Sequence, residues 1–371
     1  MSEAETSRLL VIAAGGTGGH MFPAQALAQE MLRRGWRVAL SSDDRGLRYA
    51  GGFPDAVTRR EVTAATFARG GLIGKAAVPF KILSGISETV EWFRQEKPAV
   101  VAGFGGYPSL PALGAAWRLG LPRLIHEQNG VLGRVNRLFA ARVDALACGV
   151  DPVTNAPAGA QRVFTGNPIR DTARALASAA YAPPDNGGPI RLLIFGGSQG
   201  ASIFADRVPP ALAQLPSSMR DRLVVTQQVR EPELEAVTEA YRAAGIRVEL
   251  SPFFSDMPNR IAEAHLVICR AGASTIAEVT AIGRPSVLAP YPAAMDDHQS
   301  ANARSLVERH AALLVPDAEM TPEHLVSLIG PLLSDPHRLQ RMALAAQQLG
   351  KPHAAEDLAD LVERLSRKSP R

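Results

Sequence analysis

The stretch 9-LLVIAAGGTGGHMFPAQALAQEMLRRG-35 decides how the rest of the chain is read. The apolar run Leu9-Leu10-Val11-Ile12 predicts a buried strand. Gly15, Gly16, Gly18 and Gly19 then crowd around Thr17, and a helical pattern begins near Met21 with Pro23 in its first turn. Strand, glycine loop and helix leave backbone N–H groups free at a helix N-terminus, where an anion is favoured. The spacing is neither the dinucleotide fingerprint G-x-G-x-x-G nor a P-loop, since no Lys-Ser/Thr follows. A tight connection inside an α/β domain would also use these glycines. His20, at the mouth of the turn, points instead to ligand contact or chemistry.

Outward from this stretch, apolar runs alternate with helix-like segments along the whole chain. Strands are expected at 9–14, 37–42, 99–104, 123–127 and 144–149, and again at 191–197, 223–227, 246–251, 266–270 and 286–290. Nearly continuous apolar strands separated by helices imply parallel sheets covered on both faces. The Pro, Gly and Asn-rich stretch 181-YAPPDNGGPI-190 reads as a linker. Each half opens with a strand and a glycine turn, AAGGTGGH in the first and FGGSQGA in the second. The expected fold is therefore α/β, two doubly wound Rossmann-like domains with a ligand cleft at the C-terminal ends of their strands. The domains are expected at 1–170 and 171–345, with a C-terminal helical segment, 346–371, packing back on the first.

Length agrees with two domains, because single cores rarely grow past about 250–300 residues and this chain has 371. No apolar run approaches the ~20 residues needed to span a bilayer, and the polar start MSEAETSR does not read as a signal peptide. Cys148 and Cys269, each ending an apolar run, fit a reducing compartment and no disulfide framework. Residues 1–170 hold 20 Lys/Arg against 13 Asp/Glu, net +7, whereas residues 171–371 hold 20 against 23, net −3. A basic first half suits phosphates or an anionic membrane surface. Nucleic acid fits least, because no basic cluster is interleaved with aromatics.

The second half carries two polar constellations just after strands. In 271-AGASTIAEV-279, Ser274 and Thr275 can cap a helix and meet phosphate oxygens, and Glu278 could accept both hydroxyls of a ribose. A capping box ending on that glutamate is the structural alternative. In 289-APYPAAMDDHQSANA-303, Asp296, Asp297, His298 and Gln299 read as a sugar-hydroxyl site or as an acidic helix start.

The ordered set GGTGGH, GFGGYPS, HEQN, TGNPIR, FGGSQGA, RAGASTIAE and DHQSANA resembles the MurG family of undecaprenyldiphospho-muramoylpentapeptide β-N-acetylglucosaminyltransferases, from about residue 8 to 345. The resemblance implies the GT-B fold and an inverting transfer of GlcNAc from UDP-GlcNAc to the C4 hydroxyl of MurNAc in lipid I. It further implies a peripheral place on the cytoplasmic face of the bacterial inner membrane, with cell-wall synthesis proteins as further partners. Carried over position by position, donor contacts fall on Thr17, Gly18, Gly19, Asn129, Arg170, Ser198, the segment Ala273, Ser274, Thr275 to Glu278, and Gln299. Glu278 would take the ribose and Gln299 the sugar hydroxyls. The backbone position that clamps uracil falls on Phe254, where the family often has an aliphatic residue.

Such a transfer needs a stabilised leaving diphosphate, which helix N-termini, Ser198 and Arg170 can supply, so no metal and no cofactor are expected. It also needs a base within hydrogen-bond reach of the acceptor hydroxyl. His20 leads, and the pair His126-Glu127 follows. In 72–95, Phe80, Leu83, Ile86, Val90 and Phe93 recur at helical spacing, which is first of all a core stripe. The resemblance makes Phe80, Leu83, Ile86 and Trp117, with Lys75, Lys81 and Arg118, candidates for docking on anionic lipid. Another GT-B glycosyltransferase, a UDP-GlcNAc 2-epimerase and a nucleotide-sugar sensor are the competing readings.

Overall fold

A computed structural model describes residues 7–15, 18–48, 50–62, 72–177, 179–197 and 200–367, with side chains left undescribed over 72–79. The chain divides into two compact units, residues 1–170 with 353–371, and residues 171–352. Among the described residues the first holds seven strands: β1 (Leu9–Ala13), β2 (Arg37–Ser42), β3 (Thr58–Glu61), β4 (Val100–Gly103), β5 (Arg123–Glu127), β6 (Ala145–Cys148) and β7 (Arg162–Phe164). The second holds six: β8 (Ile190–Phe195), β9 (Leu223–Gln228), β10 (Arg247–Ser251), β11 (Leu266–Arg270), β12 (Ser286–Ala289) and β13 (Ala312–Leu314).

The sheet orders are β3-β2-β1-β4-β5-β6-β7 and β10-β9-β8-β11-β12-β13. Every ladder between them is parallel. Both are doubly wound Rossmann-like sheets, in which the chain reverses its winding between β1 and β4 and between β8 and β11. Loops leaving those strand ends diverge, and the crevice they open is where such sheets hold ligands.

Central strands are buried on both faces. Leu10, Ile12 and Leu40 join Leu27 and Met31 in one core layer, whereas Val11, Val101 and Ile125 join Phe93 and Leu113 in the other. Each such side chain taken fully from water contributes roughly 1.5–3 kcal/mol. The second unit repeats the pattern, with Leu192, Ile194, Leu223, Val225 and Ile268 against Phe204, Val208 and Tyr241.

The division falls at residue 170, the expected domain bound. Two other expectations about organisation are corrected. The stretch 181–190, read as a linker, lies inside the second unit. Arg284, buried in the second unit, donates to Ala179 O and Ala180 O as well as to Ala262 O, which ties the earlier segment to that unit. At the C-terminus, residues 346–349 end the helix Pro336–Leu349 of the second unit, and the helix returning to the first is Ala354–Ser366. Its Leu358, Leu361, Val362 and Leu365 enter the core beside Leu27 and Met31, and Asp360 pairs with Arg34 at 2.6 Å.

The helix Leu72–Glu96 splits the expected core stripe. Val90 and Phe93 are buried, whereas Phe80 is 75% and Leu83 60% exposed. Ile86 sits half-buried at the changeover, its Cδ1 only 2.8 Å from where a Cβ on Gly114 would stand. The helix Ser109–Arg118, to which Gly114 belongs, ends in Trp117, 54% exposed with the Arg142 guanidinium 5.4 Å from its ring. Lys81 and Arg118 are exposed too, and the Lys75 side chain lies outside the described residues.

Candidate functional site

In the first unit the loops after β1, β4 and β5 converge on His20. The helix Gly18–Arg33 begins two residues before it, which places Gly18 and Gly19 at the helix start; Thr17 lies outside the described residues. The ring is half-buried, and its Nδ1 stands 2.6 Å from Phe104 O in the loop after β4. A carbonyl oxygen can only accept, so the proton sits on Nδ1 and the lone pair of the neutral ring on Nε2. Gly105 makes the approach possible. Its φ of +91° is a glycine conformation, and a Cβ there would stand 3.0 Å from His20 Cε1.

The second pair of proposed bases is differently employed. His126, on the central strand β5, is fully buried, and its Nε2 faces Gly166 O at 3.2 Å. Burial pushes its pKa down to about 4, so it stays neutral at physiological pH. Glu127 is buried beside it with both carboxylate oxygens occupied. Oε1 accepts from Asn129 N at 3.1 Å and Asn129 Nδ2 at 3.3 Å; Oε2 accepts from Gly133 N at 2.8 Å and Asn136 Nδ2 at 2.9 Å. Gly133 is the N-cap of the helix Arg134–Phe139, so Glu127 pins the whole turn that carries Asn129. Neither residue presents a proton acceptor to a substrate hydroxyl, because in a strand covered on both faces even polar side chains point inward. His126 and Glu127 are a buried support for the site, and the expectation of a base there is corrected.

In the second unit the loop after β8 turns back so tightly that a Cβ on Gly196 would stand 2.4 Å from Ala201 N. Gly196 N donates to Gln228 Oε1 at 3.1 Å, and Gln228 Nε2 donates to Pro252 O at 3.1 Å. One buried glutamine thereby couples the loop after β8 to the loop after β10 that carries Phe254. Ser198 lies outside the described residues. The Phe254 ring is buried with the Arg260 guanidinium 4.2 Å from its centre. Arg260 is itself held by Glu249 at 2.6 Å and Asp256 at 2.8 Å. The phenylalanine therefore anchors its own backbone rather than offering its side chain outward.

After β11 the helix Ala273–Ile282 starts from Gly272, with no side-chain cap. Ala273, Ser274 and Thr275 occupy its first turn, and none of them is the capping residue expected from sequence. Glu278 is the sixth helical residue and is buried, which rules out the capping box, since that arrangement needs the glutamate at the third position. Asn302, on the helix His298–Glu308, donates to Ala271 O at 3.0 Å and so joins this turn to the helix that carries Gln299. Gln299 Oε1 accepts from Tyr291 N at 2.9 Å. The Tyr291 loop is fixed in turn by Arg270, which donates to Ala289 O at 3.3 Å and Pro290 O at 3.2 Å and pairs with Asp317 at 2.9 Å. Arg170, exposed, closes the first unit.

Each unit thus gathers its candidates at the diverging loops of its own sheet. His20, Asn129, His126 and Glu127 form one group, and the Ala273–Glu278 turn and Gln299 form the other. Sequence reasoning missed Phe104, Gln128, Asn136, Gln228, Arg270, Asn302 and Asp317, which hold these groups in place. For Gln128 a signal existed, its place inside HEQN.

Known proteins share this two-sheet architecture. The model for the glycosyltransferase family 28 N-terminal domain matches residues 10–148, and that for the family 28 C-terminal domain matches 191–358. The chain is a family 28 glycosyltransferase. The two family 28 matches take in β1 to β6 of the first sheet and the strands of the second, and leave 149–190, which includes β7 and TGNPIR, between them. A relative from Mesorhizobium japonicum is 47% identical over 96% of this chain and 95% of its own length. A second, from Caulobacter vibrioides, is 47% identical over 97% of this chain and 100% of its own. Both are named UDP-N-acetylglucosamine--N-acetylmuramyl-(pentapeptide) pyrophosphoryl-undecaprenol N-acetylglucosamine transferase. The crystal structure of Acinetobacter baumannii MurG superimposes with a TM-score of 0.81 at 32% identity, covering 96% of this chain and 99% of that one. The two Rossmann-like domains of this family 28 chain are those of the GT-B fold. A UDP-N-acetylglucosamine 2-epimerase from Listeria monocytogenes, 15% identical with a TM-score of 0.64, shares the fold alone.

Proposed function

We propose that this glycosyltransferase moves GlcNAc from UDP-GlcNAc to the C4 hydroxyl of MurNAc in undecaprenyl-diphospho-MurNAc-pentapeptide, with inversion at the anomeric carbon. The observation that carries this reading is the similarity, at 47% identity and nearly full length, to relatives named for that transfer. In the reaction His20 Nε2 takes the proton of the acceptor hydroxyl, the hydroxyl oxygen bonds to C1 of GlcNAc, and the C1–O bond to UDP breaks with its electron pair leaving on the diphosphate. The Ala273–Thr275 turn, Ser198 and Arg170 receive that developing charge, with Thr17, Gly18 and Gly19 supplying backbone N–H groups. Glu278 accepts from the ribose hydroxyls, the backbone at Phe254 meets uracil, and Asn129 and Gln299 meet the sugar.

This division of labour predicts two different losses. Glu278→Ala should weaken UDP and UDP-GlcNAc alike, by about 1–3 kcal/mol for each lost hydroxyl contact. Gln299→Ala should instead erode the preference for UDP-GlcNAc over UDP-GalNAc, because the sugar's hydroxyls lose their partner. Competition between the two donors, with UDP affinity measured separately, reads both. Loss of donor preference in Glu278→Ala to the same degree as in Gln299→Ala would contradict the assignment.

The lipid-linked acceptor calls for membrane contact, and we assign it to the anionic cytoplasmic face of the bacterial inner membrane. Exposed Phe80, Leu83 and Trp117 supply apolar area, and Lys75, Lys81 and Arg118 supply charge. Binding to vesicles containing anionic lipid should exceed binding to neutral ones and weaken with salt. Replacing the three basic residues should cost roughly 1 kcal/mol each. If turnover of a soluble acceptor fell in step with vesicle binding, those residues would belong to the fold or the reaction instead.

A further inference from the structure

His20 is not held by Phe104 alone. The side-chain amide of Gln128, on the loop after β5, lies 2.6 Å from the same Nδ1. Gln128 is buried, as is His126 two residues before it. Around it, the buried polar groups His126 Nδ1 and Gln128 Oε1 have no hydrogen-bond partner with the amide nitrogen turned toward His20. Leaving two buried polar atoms unpaired is costly.

Two fixed carbonyls decide what each ring must carry. Phe104 O requires a proton on His20 Nδ1, and Gly166 O requires one on His126 Nε2. His126, neutral, then has its lone pair on Nδ1. Only one orientation of the Gln128 amide serves both rings: oxygen toward the His20 Nδ1–H, NH2 toward His126 Nδ1. Amide oxygen and nitrogen exchange places by a half-turn about the last side-chain bond, so the assignment follows from the hydrogen-bond network. In that orientation Gln128 Oε1 accepts from His20 Nδ1–H and the Gln128 NH2 donates to His126 Nδ1, so neither atom is left unpaired.

We infer that Gln128 is a positioning residue that locks His20 in its Nδ1–H tautomer, with buried His126 as the fixed anchor of the amide. The inference rests on His20 being the base of the proposed transfer. With Nδ1–H shared between Phe104 O and Gln128 Oε1, the lone pair is confined to Nε2 and the ring cannot turn. When Nε2 takes the acceptor's proton, the imidazolium keeps two acceptors on Nδ1–H, and such charge-assisted bonds are stronger than neutral ones.

Nitrogen-15 NMR of the histidine rings in the full chain tests this before any activity is measured. In the wild type at neutral pH, His20 should carry its proton on Nδ1 and His126 on Nε2. A wild-type His20 protonated on Nε2 would overturn the inference without recourse to variants. Gln128→Leu, similar in volume but without polar atoms, should mix the His20 tautomers. It should lower kcat about 10–100-fold, part of the 10²–10⁴ that a positioned base supplies, with KM for UDP-GlcNAc nearly unchanged. Gln128→Glu, whose carboxylate still accepts from His20 Nδ1–H, should keep the Nδ1–H tautomer and more of the turnover than Gln128→Leu. A Gln128→Leu enzyme that keeps both tautomer and turnover, beside an inactive His20→Ala, would sink this inference and spare the proposed transfer. A fully active His20→Ala would remove the proposed base and this inference with it.

Discussion

Replacing His20 by alanine is expected to lower turnover about 10²–10⁴-fold, the range for a positioned general base, while UDP binds almost as before. The first effect follows from the ring's geometry. Phe104 O fixes Nδ1 at 2.6 Å, and the turn at Gly105 leaves only enough room for the ring edge. Nothing else in the first group can take over the proton, since His126 is neutral and fully buried and Glu127 already accepts four hydrogen bonds. The second effect follows from where the nucleotide contacts are assigned, on the turns of the second unit. Steady-state kinetics with UDP affinity measured alongside separates the two. Turnover within a few-fold of wild type would refute His20 as the base and would not restore His126 or Glu127 to that role.

The second large effect concerns stability. Glu127→Gln keeps the shape of the side chain but turns an NH2 toward groups that donate themselves. Gly133 N–H, Asn129 N–H and the Asn136 amide all point at the Glu127 carboxylate, and hydrogen bonds to a charged group are worth about 1.5–3 kcal/mol each. With one oxygen retained as acceptor, a loss of about 3–5 kcal/mol is expected, close to that for breaking a buried charge network. All three tryptophans, Trp36, Trp92 and Trp117, lie in the first unit. Their fluorescence during denaturant unfolding therefore reports on the unit that Glu127 supports. A loss below about 1 kcal/mol would mean that the turn holding Asn129 is secured by something else.

Nine of the ten expected strands are central and were legible because both faces of a parallel sheet are covered, so the run of apolar residues is nearly unbroken; the tenth, β10, is a half-exposed edge strand legible from its alternation. The three that were missed, Thr58–Glu61, Arg162–Phe164 and Ala312–Leu314, are all at sheet edges. An edge strand is paired on one side only, can be three or four residues long, and can be wholly exposed, as β3 is. Glycine loops at the switch points were legible too, because backbone without side chains after a strand has few structural uses. The support around them was not. Phe104 meets His20 across 84 residues, Gln128 across 108, and Arg270 meets Asp317 across 47, and no local pattern records such pairings. HEQN announced ionisable residues at a strand end but could not say that His126 and Glu127 face inward while Gln128 faces His20. The helix Leu72–Glu96 gave half an answer for a related reason. Periodicity marks an apolar face, and only packing shows that this face is core at Phe93 and open to solvent at Phe80.

The transfer itself is tested most directly by its product. Incubated with labelled UDP-GlcNAc and a short-chain polyprenyl-diphospho-MurNAc-pentapeptide, the protein should release one UDP for each labelled disaccharide, and NMR of that disaccharide should show a β linkage to C4 of MurNAc. Release of UDP without a disaccharide, or conversion of UDP-GlcNAc to its 2-epimer, would contradict the account.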